Sequence, residues 1–322
     1  MQHFIQTANQ LGQQKSPFFF LIDFEQQKPI ICPLEQAVAS GLFFDFFCKS
    51  NVQSQNVRKP FEFQINPISF ETYQQGFELV QKEIQAGNSY LLNLTYPTEI
   101  QTNYSLEELF FASSAKYKLW LKGQFVCFSP ETFVRIQQNK IYSYPMKGTI
   151  NANDANAAEK LMQSDKEFTE HNTIVDLIRN DLALVSQNIQ VTKYRYLEKV
   201  DTYCGAIYQT SSEICGELNE NWQASIGSLL AKLLPAGSIS GAPKEKTVEI
   251  IQQAEIEQRG YYTGIFGYFD GENLESAVAI RFIEQNGERF LFRSGGGITA
   301  KSILDDEYNE LLEKVYVPIS IV

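Results

Sequence analysis

Two tight-turn dipeptides constrain the fold most. Asp270-Gly271 and Asn286-Gly287 separate three apolar runs, Tyr261 to Phe269, Ser276 to Ile283 and Arg289 to Ser294. Such pairs favour a turn whose twist matches two antiparallel strands, so the spacing predicts a three-strand antiparallel meander. A second hairpin is predicted where Thr132 to Ile136 and Ile141 to Met146 flank the polar Gln137 to Lys140, and its exit delivers Lys147-Gly148-Thr149. Helical periods cover Phe70 to Ala86, Ala157 to Arg179, Trp222 to Leu234, Pro243 to Gln258 and Asp305 to Val315, while Tyr90 to Thr95 reads as a strand. Antiparallel hairpins interleaved with helices imply an α+β fold with layered sheets, not a doubly wound parallel one.

No repeat or low-complexity linker divides the 322 residues. Residues 1–65 are less regular, with apolar runs at Phe18 to Ile22, Pro29 to Ile31 and Gly41 to Phe47. They are expected to form a strand-rich segment packed on a main domain of residues 66–322. With 27 Lys and Arg against 38 Asp and Glu, the net charge of −11 disfavours a nucleic acid partner. The longest apolar run is strand-sized, so no membrane span is expected. Met1 to Ser16 is polar and Gln-rich without a secretory pattern, which makes the cytoplasm the default. The five cysteines, odd in number and without a C-x-x-C pair, are expected to be reduced and mostly in the core.

Several residues could carry chemistry. Glu167 and Glu170 lie three apart on one predicted helix; Glu307 and Glu310 do so on another, with Lys314 one turn beyond. Two such faces across a cleft could hold a Mg²⁺, but the spacing alone fits solvated helix surfaces as well. The loop Leu234 to Lys244 opens a helix with backbone N–H groups suited to a carboxylate, and its spacing is not that of a nucleotide-phosphate loop. Gly295-Gly296-Gly297 is either a close approach to a ligand or a tight bend. Arg281, in an apolar strand with Ala277 and Ala279 on the same face, either pairs with an internal acid or, using the space the alanines leave, holds a substrate carboxylate. Lys147 is either a surface lysine or a desolvated neutral amine. With only His3 and His171, a His-centred triad is disfavoured.

Taken in order, Ser129-Pro130-Glu131, Pro145-Met146-Lys147-Gly148-Thr149, Glu170 to Asp181, Pro235 to Lys244, Arg259 to Gly264, Ala279-Ile280-Arg281, Gly295 to Ile298 and Glu307-Tyr308-Asn309-Glu310 resemble the chorismate-utilising enzyme family. That family includes anthranilate, isochorismate, salicylate and aminodeoxychorismate synthases, and the resemblance covers residues 70–316. It implies two antiparallel sheets packed as a sandwich and flanked by helices, with the site between them. It also implies that Glu167, Glu170, Glu307 and Glu310 form a Mg²⁺ region, with Glu170 and Glu310 the closest ligands. Gly148, Thr149, Ser238, Tyr262, Arg281, Gly295 and Lys314 match substrate-contacting positions, and Glu131 matches the acid that protonates the departing C4 hydroxyl.

Lysine at position 147 is characteristic of the family's aminodeoxychorismate synthases. The implied reaction is attack of neutral Lys147 on C2 of chorismate, followed by ammonia at C4. Leu91 stands where salicylate and isochorismate synthases carry a water-activating lysine. Gln209 replaces a histidine linked in anthranilate synthases to pyruvate loss, and Asn309 replaces the usual middle glutamate. No amidotransferase signature is present, so the expected partners are a separate glutamine amidotransferase subunit supplying ammonia and a downstream aminodeoxychorismate lyase, with no lyase domain fused. Anthranilate synthase component I and an inactive chorismate-binding subunit remain the alternatives.

Overall fold

In the computed structural model, which describes residues 1–202 and 205–319, Phe18–Ile22 is a strand buried along its whole length. Phe19 and Leu21 enter the core between two sheets, while Phe18, Phe20 and Ile22 enter the core that the first sheet shares with helices. A strand covered on both faces reads as one continuous apolar run because every side chain finds apolar cover.

The first sheet has the order Met146–Asn151, Gly205–Glu217, Lys140–Ser143, Thr132–Gln137, Leu274–Val278, Ile265–Phe269, Phe18–Ile22 and Ile30–Pro33. Gln187–Thr202 also pairs with Gly205–Glu217. The second runs Gly241–Ala242, Leu91–Thr102, Arg289–Ile298, Phe282–Asn286, Phe125–Ser129, Tyr117–Leu121, Leu42–Phe46 and Lys49–Ser50, with Phe63–Asn66 beside Leu91–Thr102. The expected α+β sandwich of antiparallel sheets is therefore present. Phe19 stacks on Phe44 across the interface, with ring centroids 5.0 Å apart. Helices including Gln2–Gln13, Phe70–Gln85, Asp165–Ala183 and Ile226–Leu233 cover the outer core. Among the described residues, no helix is long and apolar enough to cross a membrane.

The predicted meander is interrupted. Its middle run is two strands: Leu274–Val278 pairs within the first sheet, and Phe282–Asn286 pairs within the second. Ala279-Ile280-Arg281 carries the chain between them, and Arg281 takes φ +51°. Arg281 is thus not on a strand face with Ala277 and Ala279. Both halves of the run are buried, so the sequence shows no break where the chain changes sheets.

The helix expected over Ala157 to Arg179 is also two, Ala157–Gln163 and Asp165–Ala183. Between them Ser164 caps the second, its hydroxyl accepting from the Glu167 N–H at 3.3 Å. The helix expected over Pro243 to Gln258 spans Lys244–Ala254. The sequence does not signal the long pair Gln187–Thr202 and Gly205–Glu217, because the polar and charged residues of the first strand mask its alternation. Cys127 and Cys215 are buried, Cys32 is half-buried and Cys48 is exposed. Cys204 lies outside the described residues.

Candidate active site

A cavity of about 870 Å³ opens where the two sheets meet the helices. Strand Leu91–Thr102 presents Leu91 and Asn93, and its neighbour Arg289–Ile298 presents Gly295 and Gly297. The start of Met146–Asn151 contributes Lys147, and the crossover between sheets contributes Arg281. Glu131, Glu170, Ser238, Tyr262, Glu307 and Lys314 also line the wall. Sequence positions as far apart as Leu91 and Lys314 therefore converge on one space.

Gly148, Thr149, Glu167 and Glu310 are not part of that lining, and Thr149 is exposed. Glu167 and Glu310 nevertheless sit just behind it. A Cβ on Gly148, whose φ is +86°, would lie 2.7 Å from Glu167 Oε2. A Cβ on Gly296 would lie 3.2 Å from Glu307 Oε2 and 3.3 Å from Glu310 Oε1. The glycines let carboxylates approach the strand backbone.

Two lysines stand among these carboxylates. Lys147 Nζ is 2.9 Å from Glu170 Oε2, and Lys314 Nζ is 2.5 Å from Glu310 Oε1 and 2.7 Å from the Gly295 carbonyl oxygen. Burial disfavours charge on Lys147, but Glu170, with Glu310 and Glu167, outweighs it and raises the amine above its ordinary range. Lys147 is thus not a free surface lysine: it sits in an ion pair with Glu170, whose charge favours the ammonium form. For Lys314 burial dominates over Glu310, and its pKa falls. Burial and the neighbouring Glu170 raise Glu167; burial raises Glu307.

Across the cavity, the Ser238 hydroxyl donates to Glu131 Oε1 at 2.5 Å. Loss of solvent pushes the Glu131 carboxyl up, against the opposing effects of Ser238 and Arg281, which favours the protonated form an acid needs. Arg281 lies over the Tyr316 ring, 5.1 Å from its centroid, and its Nε is buried without a partner. Burial pushes the Tyr262 hydroxyl up to about 12, so it remains a neutral donor.

Glu307 Oε2 is likewise buried and unpartnered. Among the described residues no group of three or more His, Cys, Asp or Glu side chains is placed to hold a metal ion by itself. The unsatisfied Glu307 oxygen, beside Glu310 at the Gly296 backbone, suits one side of an open Mg²⁺ site completed by waters and an anionic ligand. Sequence reasoning missed Lys166, Thr169 and Thr173, which line the cavity beside Glu170. Their i, i+3, i+4, i+7 spacing with Glu170 is one helical face and was the available signal. Gln209 is outside the lining; its Nε2 donates to Glu198 Oε2 at 3.1 Å and to Met146 Sδ at 3.2 Å, behind the strand that carries Lys147. His171 Nε2 lies 2.7 Å from the Ser212 hydroxyl and is also outside the cavity lining.

The family model described as chorismate binding enzyme matches residues 4–320. An uncharacterized PabA-like protein of Pasteurella multocida is 65% identical over 318 residues, covering 98% of both chains. Aminodeoxychorismate synthase component 1 of Escherichia coli is 32% identical over 263 residues, which cover 76% of this chain and 56% of that protein. Anthranilate synthase component I of Streptococcus pneumoniae superposes with a TM-score of 0.65 at 26% identity, over 80% of this chain and 59% of that one. With its sandwich, its cavity and its ordered motifs accounted for together, the chain belongs to the chorismate-binding enzyme family.

Proposed function

We propose that this chain is an aminodeoxychorismate synthase component I, converting chorismate and ammonia into 4-amino-4-deoxychorismate and water. The observation that carries the proposal is the joint presence of the Lys147 amine and the raised Glu131 carboxyl on one cavity wall system. A lysine nucleophile and a separate acid are what displacement of a hydroxyl through a covalent intermediate requires. Ammonia comes from a separate glutamine amidotransferase, and a separate lyase acts on the product to give p-aminobenzoate.

Glu170 pairs with Lys147 and aims its Nζ, and the ammonium gives up a proton to solvent before the amine attacks. The new bond forms between Nζ and C2, both ring double bonds shift by one position toward C4, and the C4–oxygen bond breaks. Glu131 gives its proton to the departing hydroxyl, which leaves as water. Ammonia then bonds to C4 and passes a proton to Glu131, both ring double bonds shift back, and the C2–Nζ bond breaks to release the lysine amine, which regains its proton from solvent. Two successive displacements place the amino group at C4. Arg281, with its unpartnered Nε, holds a substrate carboxylate. Glu167, Glu170, Glu307 and Glu310 would hold Mg²⁺, which when bound supplies charge neutralisation and orientation for the second carboxylate. Leu91 cannot activate water, which favours amination over hydration.

The test is product analysis and intact-protein mass spectrometry with chorismate, Mg²⁺ and ammonium, comparing wild type with Lys147→Ala. Aminodeoxychorismate is expected from the wild type, with a dehydrated chorismate adduct when ammonia is withheld; both vanish in the variant. Anthranilate as product, or turnover that survives Lys147→Ala, would overturn the proposal.

A further inference from the structure

Helix Asp165–Ala183 carries Glu170 near one end and Asp181 near the other, about 16 Å apart at 1.5 Å per residue. Asp181 and Lys244 form an ion pair of 2.9 Å, with side chains 13% and 20% exposed. Neither residue lines the main cavity. Lys244 Nζ also donates to the Leu233 carbonyl oxygen at 2.9 Å, where the chain enters the loop toward Ser238. The Gly237 backbone packs directly against the Asp181 carboxylate: a Cβ on Gly237 would lie 2.6 Å from Asp181 Oδ2. The next residue is Ser238, whose hydroxyl holds Glu131. A smaller cavity of about 20 Å³, lined by Asp181, Gly237, Ser238 and Glu131, lies at the same junction.

This chain of contacts has a direction. Asp181 fixes the Gly237 backbone, Gly237 fixes the start of Ser238, and Ser238 fixes the Glu131 carboxyl. A partly buried ion pair is weak evidence for stability, because desolvation offsets its attraction, whereas it does specify a geometry. We propose that Asp181 and Lys244 are positioning residues for the acid: they hold the Gly237-Ser238 segment so that Ser238 aims the Glu131 carboxyl into the cavity. The inference rests on the proposed role of Glu131 as the proton donor to the departing hydroxyl.

The test is a double-mutant cycle read as steady-state chorismate consumption, which is measured whatever product forms. Ser238→Ala, Asp181→Asn and Lys244→Gln are each expected to lower kcat about ten- to a hundredfold, with KM unchanged within about twofold, as expected for misplacing a general acid. The Asp181→Asn/Ser238→Ala double variant is expected to be no slower than Ser238→Ala alone, because both changes remove the same alignment. Multiplying effects, an unchanged kcat in Ser238→Ala, or a loss confined to KM would overturn the inference. If Asp181→Asn does not fold, as judged by thermal denaturation, the cycle of Lys244→Gln with Ser238→Ala makes the same test. Anthranilate as the product would defeat the proposed function while leaving the cycle readable.

Discussion

Arg281 holds a left-handed backbone conformation, and its Nε is buried without a partner. Non-glycine residues there carry a strain of roughly 1 kcal/mol or more, and such strain collects at ligand sites. Arg281→Gly is therefore expected to keep or raise the thermal midpoint while raising KM for chorismate about ten- to a hundredfold, the worth of one or two hydrogen bonds to a charged group. Kinetics and thermal denaturation on one preparation check it; a variant that loses stability and keeps KM refutes it. The sequence marks Arg281 as a buried cation in need of an acid, whether internal or on a substrate. Its place is not legible there, since nothing local marks the point at which a buried run leaves one sheet for another. For Lys147 the sequence left a surface ammonium and a buried amine open, because protonation depends on carboxylates brought from other segments.

At the scale of the element, helix Asp165–Ala183 is pinned to strand Gly205–Glu217 through His171 and Ser212. Burial, with Arg195 nearby, pushes the His171 imidazole down from 6.5 to about 4. Between those values the unfolded chain binds a proton that the folded chain refuses, so stability rises with pH across the window and is lost as pH falls through it. His171→Gln should flatten this part of the pH dependence of the urea midpoint. A variant that keeps the full wild-type slope between pH 4 and 6.5 would contradict the assignment. The helix itself was readable from its period, but its break at Ser164 was not. A serine cap gains its meaning only once the chain is seen to turn before it. The strand Gln187–Thr202 is not legible in the sequence for a related reason: cross-strand pairing to Gly205–Glu217 holds it in place without a long apolar run.

At the scale of the molecule, residues from the first 65 supply structural strands to both sheets. Phe18–Ile22 pairs with Ile265–Phe269, and Leu42–Phe46 pairs with Tyr117–Leu121. Removing them leaves two strands with an unpaired, apolar edge and opens the core between the sheets. A protein beginning at residue 66 is expected to lack cooperative thermal unfolding and to aggregate; a folded fragment with a sharp transition would disprove this. By itself the sequence determined the antiparallel character of the sheets, most of the helices and the ordered motifs of the family, because turn chemistry, apolar period and motif spacing are local properties of the chain. Only the tertiary structure decided that Arg281 lies in a crossover, that Lys147 is paired with Glu170, and that Asp181 and Lys244 brace the segment holding Glu131. These depend on which distant segments meet and on how much water each charge loses when they do.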